Sequence, residues 1–410
     1  MSSRADNNYP IAIIGGGLTG KMMALCLSHS GYDCAIIAPH PQSEKPKDRR
    51  STTIHNAGAK MLSALGLMDY LQGQMTPINH ICVAVGPQKP YHSDWLLNWS
   101  SDEVMAYVIE NHALDSALDS AINGLSKSAS KTGAIHQIDD IVTGYHDDGT
   151  IAVIETGTGS FIQAQLVIAC DGTKSQMRAL VGLTAKIEET GQTALIANLD
   201  CGVPHNHTAY QRFLPTGPLA LMPLEGQSVS LVWSTDTAQA KTLLSADPQA
   251  ISQALGEAFG DELGKLTLQN ALSSFPLRPH YNRRLSKGRV ILAGDAAHAI
   301  HPLAGMGYNL ALADAAILLD LLNEAHAKGL GPYHPAIKTA YRNRRMPEII
   351  ALATLTSQLN KMLSRKASPL SAIIAMGMSV VDKTPLKRTF QDIAMGGKLS
   401  SAPLLRGHLK

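Results

Sequence analysis

The sequence predicts an α/β fold: a parallel sheet wrapped by helices, interleaved with a second, β-rich layer and followed by a helical carboxyl-terminal region. Three observations predict it. Near the amino end an apolar run, residues 11–14, leads into Gly15-Gly16-Gly17-Leu18-Thr19-Gly20 and then a helix over about 20–30. Late in the chain, residues 289–314 run from another apolar segment through Gly294-Asp295 and a Gly305-Met306-Gly307 loop into a second helix. Between them, residues 77–107 and 193–233 carry the strand-and-turn pattern of an antiparallel sheet.

The glycines set the chemistry at the amino end. Gly15 permits the tight turn off the strand, Gly17 lets backbone approach a pyrophosphate, and Gly20 lets helix and strand pack closely. Because the run follows one strand, opens a helix and precedes a second strand at 34–37, it reads as a dinucleotide site in a Rossmann-like domain. An acid is expected at the end of that second strand to bind ribose hydroxyls. Ala38 stands there instead.

In the late stretch, Gly294-Asp295 is how a buried parallel strand ends when a polar group must sit at its carboxyl edge, where ligands of open α/β sheets bind. Downstream, Gly305 and Gly307 bracket Met306 before a helix that starts near Tyr308 or Asn309 and carries Leu310, Ala313, Ile317 and Leu321 on one face. Side-chain-free backbone can approach a flat ligand, and the helix amino terminus favours negative charge. The geometry suits an anionic ring or a phosphate. His298 and His301, between the two glycine motifs, are candidate catalytic groups, although a histidine beside a proline reads more naturally as structural.

The rest of the chain fills in around these motifs. Asp48-Arg49-Arg50-Ser51-Thr52 precedes a helix over 56–65, and its arginines read equally as phosphate or flavin partners and as solvated charge. A helix is expected over 113–129, then strands over 134–145 and 151–155 turning at Asp147-Asp148-Gly149, and a buried strand over 166–169 ending at Cys170-Asp171-Gly172. The block 193–233 is expected to form a sheet covering one face of the cofactor, with helices following within 236–260. Residues 335–364 and 370–381 read as helical.

Composition narrows the function classes. A chain of 410 residues suits two domains, and 45% hydrophobic content with a mean hydropathy of −0.01 describes a soluble globular protein. A net charge of +2 gives no footing for nucleic acid, and the cluster Arg342, Arg344 and Arg345 reads as a solvated helix face. The five cysteines are widely spaced with no Cys-x-x-Cys pair, as in a reducing cytosol. The first apolar run is too short for a signal peptide, and 370–381 falls short of the roughly 20 residues that span a bilayer. A cytoplasmic protein is expected.

Three motifs in this order, Gly15 to Gly20, Asp171-Gly172-x-x-Ser175-x-x-Arg178 and Gly294-Asp295 with its glycine loop, resemble those of the FAD-dependent aromatic hydroxylases of the p-hydroxybenzoate hydroxylase type. The ubiquinone-biosynthesis branch is similar over nearly the whole chain. Its likeness includes Asp48-x-Arg50, Tyr107-Val108-Ile109-Glu110-Asn111, Gly217-Pro218-Leu219-Ala220-Leu221-Met222-Pro223-Leu224 and His301-Pro302-Leu303-Ala304-Gly305-Met306-Gly307-Tyr308-Asn309-Leu310, with Pro385-Leu386-Lys387-Arg388 and Ala394-Met395-Gly396 in the tail. The chain departs from the family at Ala38, at His112 where an arginine is common, and at Met306 where glutamine is usual.

The resemblance implies an FAD-binding Rossmann-like domain in three segments (1–76, 108–182, 278–334), an interleaved β-sheet substrate domain (77–107, 183–277) and a helical region, 335–410. It implies that Gly15, Gly17 and Gly20 hold the ADP half of FAD and that Asp295 binds its ribityl and pyrophosphate region. Gly305, Met306, Gly307, Tyr308 and Asn309 would face the isoalloxazine with Arg50 nearby, while Asp171 and Arg178 would support the flavin and the approach of a pyridine nucleotide. The activity implied is hydroxylation of a polyprenylated phenol on the route to ubiquinone, using O2 and NAD(P)H or another electron donor, through a flavin C4a-hydroperoxide. Peripheral contact with a membrane, through 370–381 unless that run is a core helix, and with other quinone-biosynthesis proteins belongs to the same expectation. The departures keep open a competing reading, a non-catalytic or weakly flavin-binding accessory subunit.

Overall fold

The structure is a computed structural model that describes residues 7–39, 48–86, 95–125, 132–303, 305, 307–363 and 402–409. Its first sheet has eight strands, and the order along it is Ser286–Lys287, Val290–Leu292, Phe161–Ala169, Asn8–Ile14, Cys34–Ile37 and Ile135–Ile138. From Val290–Leu292 to Ile135–Ile138 every neighbouring pair is parallel. Apart from the edge strand Ile135–Ile138, such strands are covered on both faces, which is why they carry unbroken apolar runs. Ile11, Ile13, Leu166, Ile168 and Ile291 are fully buried here, under the helices Leu18–His29, Asn111–Leu125 and Gly307–His326.

One predicted strand is two. In place of a continuous 134–145, Ile135–Ile138 pairs in parallel with Cys34–Ile37, and Val142–Asp147 turns back against Ala152–Thr156. Between them the Asp140 side chain accepts from the Ile141 N–H at 2.8 Å, a local bond of the kind that competes with sheet pairing. The anticipated turn is present, with Gly149 at φ +87° and Asp148 Oδ1 accepting from the Thr150 and Ile151 N–H groups. The strand ending at Ala169 starts earlier than its apolar run suggests, at Phe161, because its first half alternates as an antiparallel partner of Ala152–Thr156. The helix expected over 113–129 starts at Asn111 and is described to Leu125.

The second sheet is also eight-stranded, built on Gln192–Cys201, Ser228–Asp236, Gly217–Pro223, Thr208–Leu214 and His80–Val85. One face packs Leu195, Leu219, Leu231 and Trp233 against Leu255 and Phe259 of the helix Pro248–Phe259. The other face meets a small three-stranded sheet, Ser51–His55, Ala106–Glu110 and Thr76–Ile78, through a cluster that includes Ile78, Val108, Ala220 and Met222. The long helix Pro335–Leu363 closes the described chain apart from residues 402–409. Residues 370–381 and the tail motifs lie outside the described residues.

One reading of that helix is corrected. Arg342 is exposed as expected, but Arg344 pairs with Asp320 (2.8 Å) and Glu324 (3.1 Å), and Arg345 is wholly buried against Asp314 at 2.6 Å. Arg344 and Arg345 are adjacent in sequence and so about 100° apart around the helix, which puts one at the surface and the other inside.

Candidate active site

Three glycine turns meet at the carboxyl edge of the parallel sheet. A Cβ on Gly20 would collide with the Gly15 carbonyl oxygen, and one on Gly15 with that of Cys170, so these two glycines let backbone lie on backbone. Gly17 differs: it is exposed, a Cβ there would meet nothing within 4 Å, and as N-cap of the helix Leu18–His29 it supplies no side-chain cap. The helix therefore presents amide donors and its positive end to open space. Ala38, partly exposed at the end of its strand, lies beside this turn, its Cβ 2.9 Å from where a Gly16 Cβ would stand.

The late glycines bring the rest of the site to that turn. Gly294 has φ +56° and a Cβ there would stand 2.7 Å from Thr19, so the Gly294-Asp295 turn packs on the start of the first helix. Tyr308 donates from its hydroxyl to the Leu18 carbonyl at 3.4 Å, joining the helix Gly307–His326 to the same place. Asn309 clamps the strand Ser51–His55: its amide nitrogen donates to the Thr53 carbonyl at 2.7 Å, and its oxygen accepts from the His55 N–H at 3.0 Å. Gly305, at φ +63°, lies so close to Thr53 that a Cβ would strike its hydroxyl, whereas Gly307 is exposed with nothing within 4 Å of a Cβ. Met306 lies outside the described residues.

Charge is arranged around the cleft. Arg50 donates to both oxygens of Asp48, from Nε at 2.9 Å and Nη2 at 2.6 Å, and Asn111 Nδ2 reaches Asp48 at 3.2 Å. Burial opposes ionisation of Asp48, but the bonds and charge of Arg50, with Asn111, outweigh it and hold the carboxyl below the usual range. Asp48 thus aims Arg50, whose guanidinium also feels the charge of Asp295. The Asp295 carboxyl faces the cleft and is exposed at its edge, yet protein crowds it closely enough that desolvation pushes it up, against the pull of His298, His280 and Arg50. Asp171 accepts from the Met177 N–H at 2.9 Å, and Arg178 donates to the carbonyls of Ala296 (2.9 Å) and Thr173 (2.7 Å), tying the Asp171-Gly172 loop to the turn after Asp295.

The two histidines are buried and differently employed. His298 donates from Nε2 to Asp314 at 2.7 Å. His301 Nε2 meets Gln192 Oε1 at 3.2 Å, and Gln192 Nε2 donates to the Thr216 carbonyl, which orients the amide and makes His301 Nε2 the protonated nitrogen. Its Nδ1 has no partner among the described residues. Burial lowers His301 from 6.5 to about 4, against the pull of Glu188, and burial alone lowers His55 to about 4. Both take up protons in the unfolded chain before they do in the fold, so stability is highest above pH 6.5 and falls as pH drops toward 4. The urea midpoint is expected to decline across that window, and changing both histidines to Gln to flatten the decline; an already flat wild-type profile would refute this.

Sequence reasoning gave Asp314 no role and misread Arg345. Asp314 is wholly buried and accepts from the Gly294 N–H (2.8 Å), His298 and Arg345, while Arg345 also bonds Glu348 and the Leu310 carbonyl (3.0 Å). The legible signal was an acid inside the otherwise apolar helical run 310–319.

Known proteins match this arrangement. A family model described as an FAD binding domain matches residues 8–348. Ubiquinone hydroxylase UbiL of Rhodospirillum rubrum is 30% identical, the match covering 99% of this chain and 95% of that protein. The 3-demethoxyubiquinol 3-hydroxylase of Escherichia coli is 28% identical over 94% of this chain and 98% of its own length. Among solved structures, p-nitrophenol 4-monooxygenase from Pseudomonas putida superposes with a TM-score of 0.76 at 17% identity, covering 95% of this chain and 98% of that one. Klebsiella pneumoniae HpxO, solved with FAD and uric acid, gives 0.73 at 18% over 96% and 97%. The residues present fit such a cofactor. Gly17 and Gly307 leave the cleft open, and among the described residues the buried atoms Asp171 Oδ1, Asn111 Oδ1 and His112 Nδ1 have no hydrogen-bond partner.

Proposed function

We propose, for a chain that belongs to the FAD-dependent aromatic hydroxylases in the branch of ubiquinone biosynthesis, that it hydroxylates the ring of a polyprenylated phenol on the route to ubiquinone. The observation that carries this reading is the likeness to a ubiquinone hydroxylase along 99% of the chain. FAD, when bound and reduced by an electron donor, would activate O2 so that one of its oxygen atoms enters the ring and the other leaves as water.

The chain's own residues bind, orient and exclude water. The uncapped helix at Gly17 receives the pyrophosphate. Arg50, aimed by Asp48, and Asp295 would take the ribityl side, and Gly305 with the backbone of Gly307 to Asn309 would border the ring, their distance from the strand Ser51–His55 set by the Asn309 clamp. Asp171 and Arg178 keep the two turns in register. A substrate with a long hydrocarbon tail keeps that tail partly in lipid, so this reading has it met at a membrane surface; no helix among the described residues is long and apolar enough to cross a membrane.

Deleting the gene and profiling quinone intermediates tests the reading. A prenylated phenol one oxygen short of the next intermediate is expected to accumulate while ubiquinone falls; normal ubiquinone with no such phenol would overturn it.

A further inference from the structure

The inner face of the second sheet carries an unexplained polar spot. Asn198 and Ser230 are opposed residues on neighbouring strands, and their neighbours Ala197, Leu199, Val229 and Leu231 point into the core on the far side. Strand alternation turns Asn198 and Ser230 the other way, toward the small three-stranded sheet. There Glu110 stands opposite Ser51, and Glu110 Oε1 accepts from Asn198 Nδ2 at 2.7 Å. Two residues along the same face, Thr53 abuts Gly305 of the ring-bordering loop.

Donor and acceptor accounting at this spot does not close. The Asn198 amide nitrogen is committed to Glu110, so its oxygen is an acceptor, and that oxygen, Ser230 Oγ and Ser51 Oγ are all buried without a partner among the described residues. An unpaired buried polar atom costs about 1–3 kcal/mol, and several together ask for an occupant that supplies hydrogen bonds. An amide oxygen can be satisfied only by a donor.

We propose that Asn198 and Ser230, backed by Glu110 and Ser51, anchor a hydroxyl on the substrate ring, so that the protein selects a free phenol over its methyl ether. The phenol O–H donates to Asn198 Oδ1 and its oxygen accepts from Ser230. An ether of the same shape leaves the amide oxygen unpaired. The anchor rests on the function proposed above, whose ring it holds beside the Gly305 loop.

The FAD-loaded protein titrated with a geranyl-substituted phenol and with its methyl ether, read by flavin absorbance and calorimetry, tests it. Wild type is expected to bind the phenol about tenfold or more tightly than the ether, since a site built to bond a hydroxyl rejects the analogue lacking it. Asn198→Leu is expected to erase that preference by weakening the phenol alone. Ser230→Ala removes the donor that the oxygen of either compound accepts from, so it is expected to weaken both while keeping the preference and melting like wild type. Equal binding of both compounds by wild type, an Asn198→Leu variant that weakens both alike, or a Ser230→Ala variant that weakens neither, would overturn the anchor and leave the proposed function standing. Binding of neither would overturn both.

Discussion

Asp314→Ala is expected to destabilise the protein by about 3–5 kcal/mol, the cost of leaving a buried charge without its partner. Three donors lose their acceptor at once: the Gly294 N–H, His298 Nε2 and Arg345 Nε. Burial works against ionisation of Asp314, yet His298 and Arg345 hold its carboxyl down at about 2. Its folded value is below its ordinary 3.8, so the stabilisation is complete above that pH and is lost as pH falls toward 2. Urea unfolding at neutral pH measures the loss. Because the same carboxylate fixes the Gly294-Asp295 turn, flavin content should fall with stability, and Arg345→Met together with Asp314→Leu should recover stability better than either single change. A single variant that unfolds like wild type would show that the pair contributes nothing.

Gly17→Asp is expected to move stability and cofactor binding in opposite directions. Gly17 is already extended, φ −82° and ψ −175°, at an N-cap that has no side chain, so aspartate fits the backbone and caps the helix, a gain of a few tenths of a kcal/mol. The same carboxylate would occupy the amide donors meant for pyrophosphate and repel it. Losing even one charge-assisted bond of about 1.5–3 kcal/mol weakens FAD about tenfold to a hundredfold. Gly20→Ala is the contrast: its methyl strikes the Gly15 carbonyl, so it should lower the melting temperature as well as flavin content. Retention of full flavin affinity by Gly17→Asp would remove this helix end from the site.

The amino-acid sequence by itself determined the parallel sheet, its two glycine turns and the family. Those features are local: a buried parallel strand is an apolar run, and a turn that forbids a Cβ shows as glycine at a fixed spacing. Only the tertiary structure decided which polar residues work together. Asp48 with Asn111, Arg345 with Asp314, and Asn198 with Glu110 are partners across 63, 31 and 88 positions, and Asp48 with Arg50 across only two. Pairing at long separation leaves no periodicity in either segment, and a buried charge is spelled with the same residues as a solvated one, which is why Arg345 read as surface. Even the short Asp48-x-Arg50 spacing became legible as an aimed guanidinium only once Asn111 and Asp295 were brought beside it.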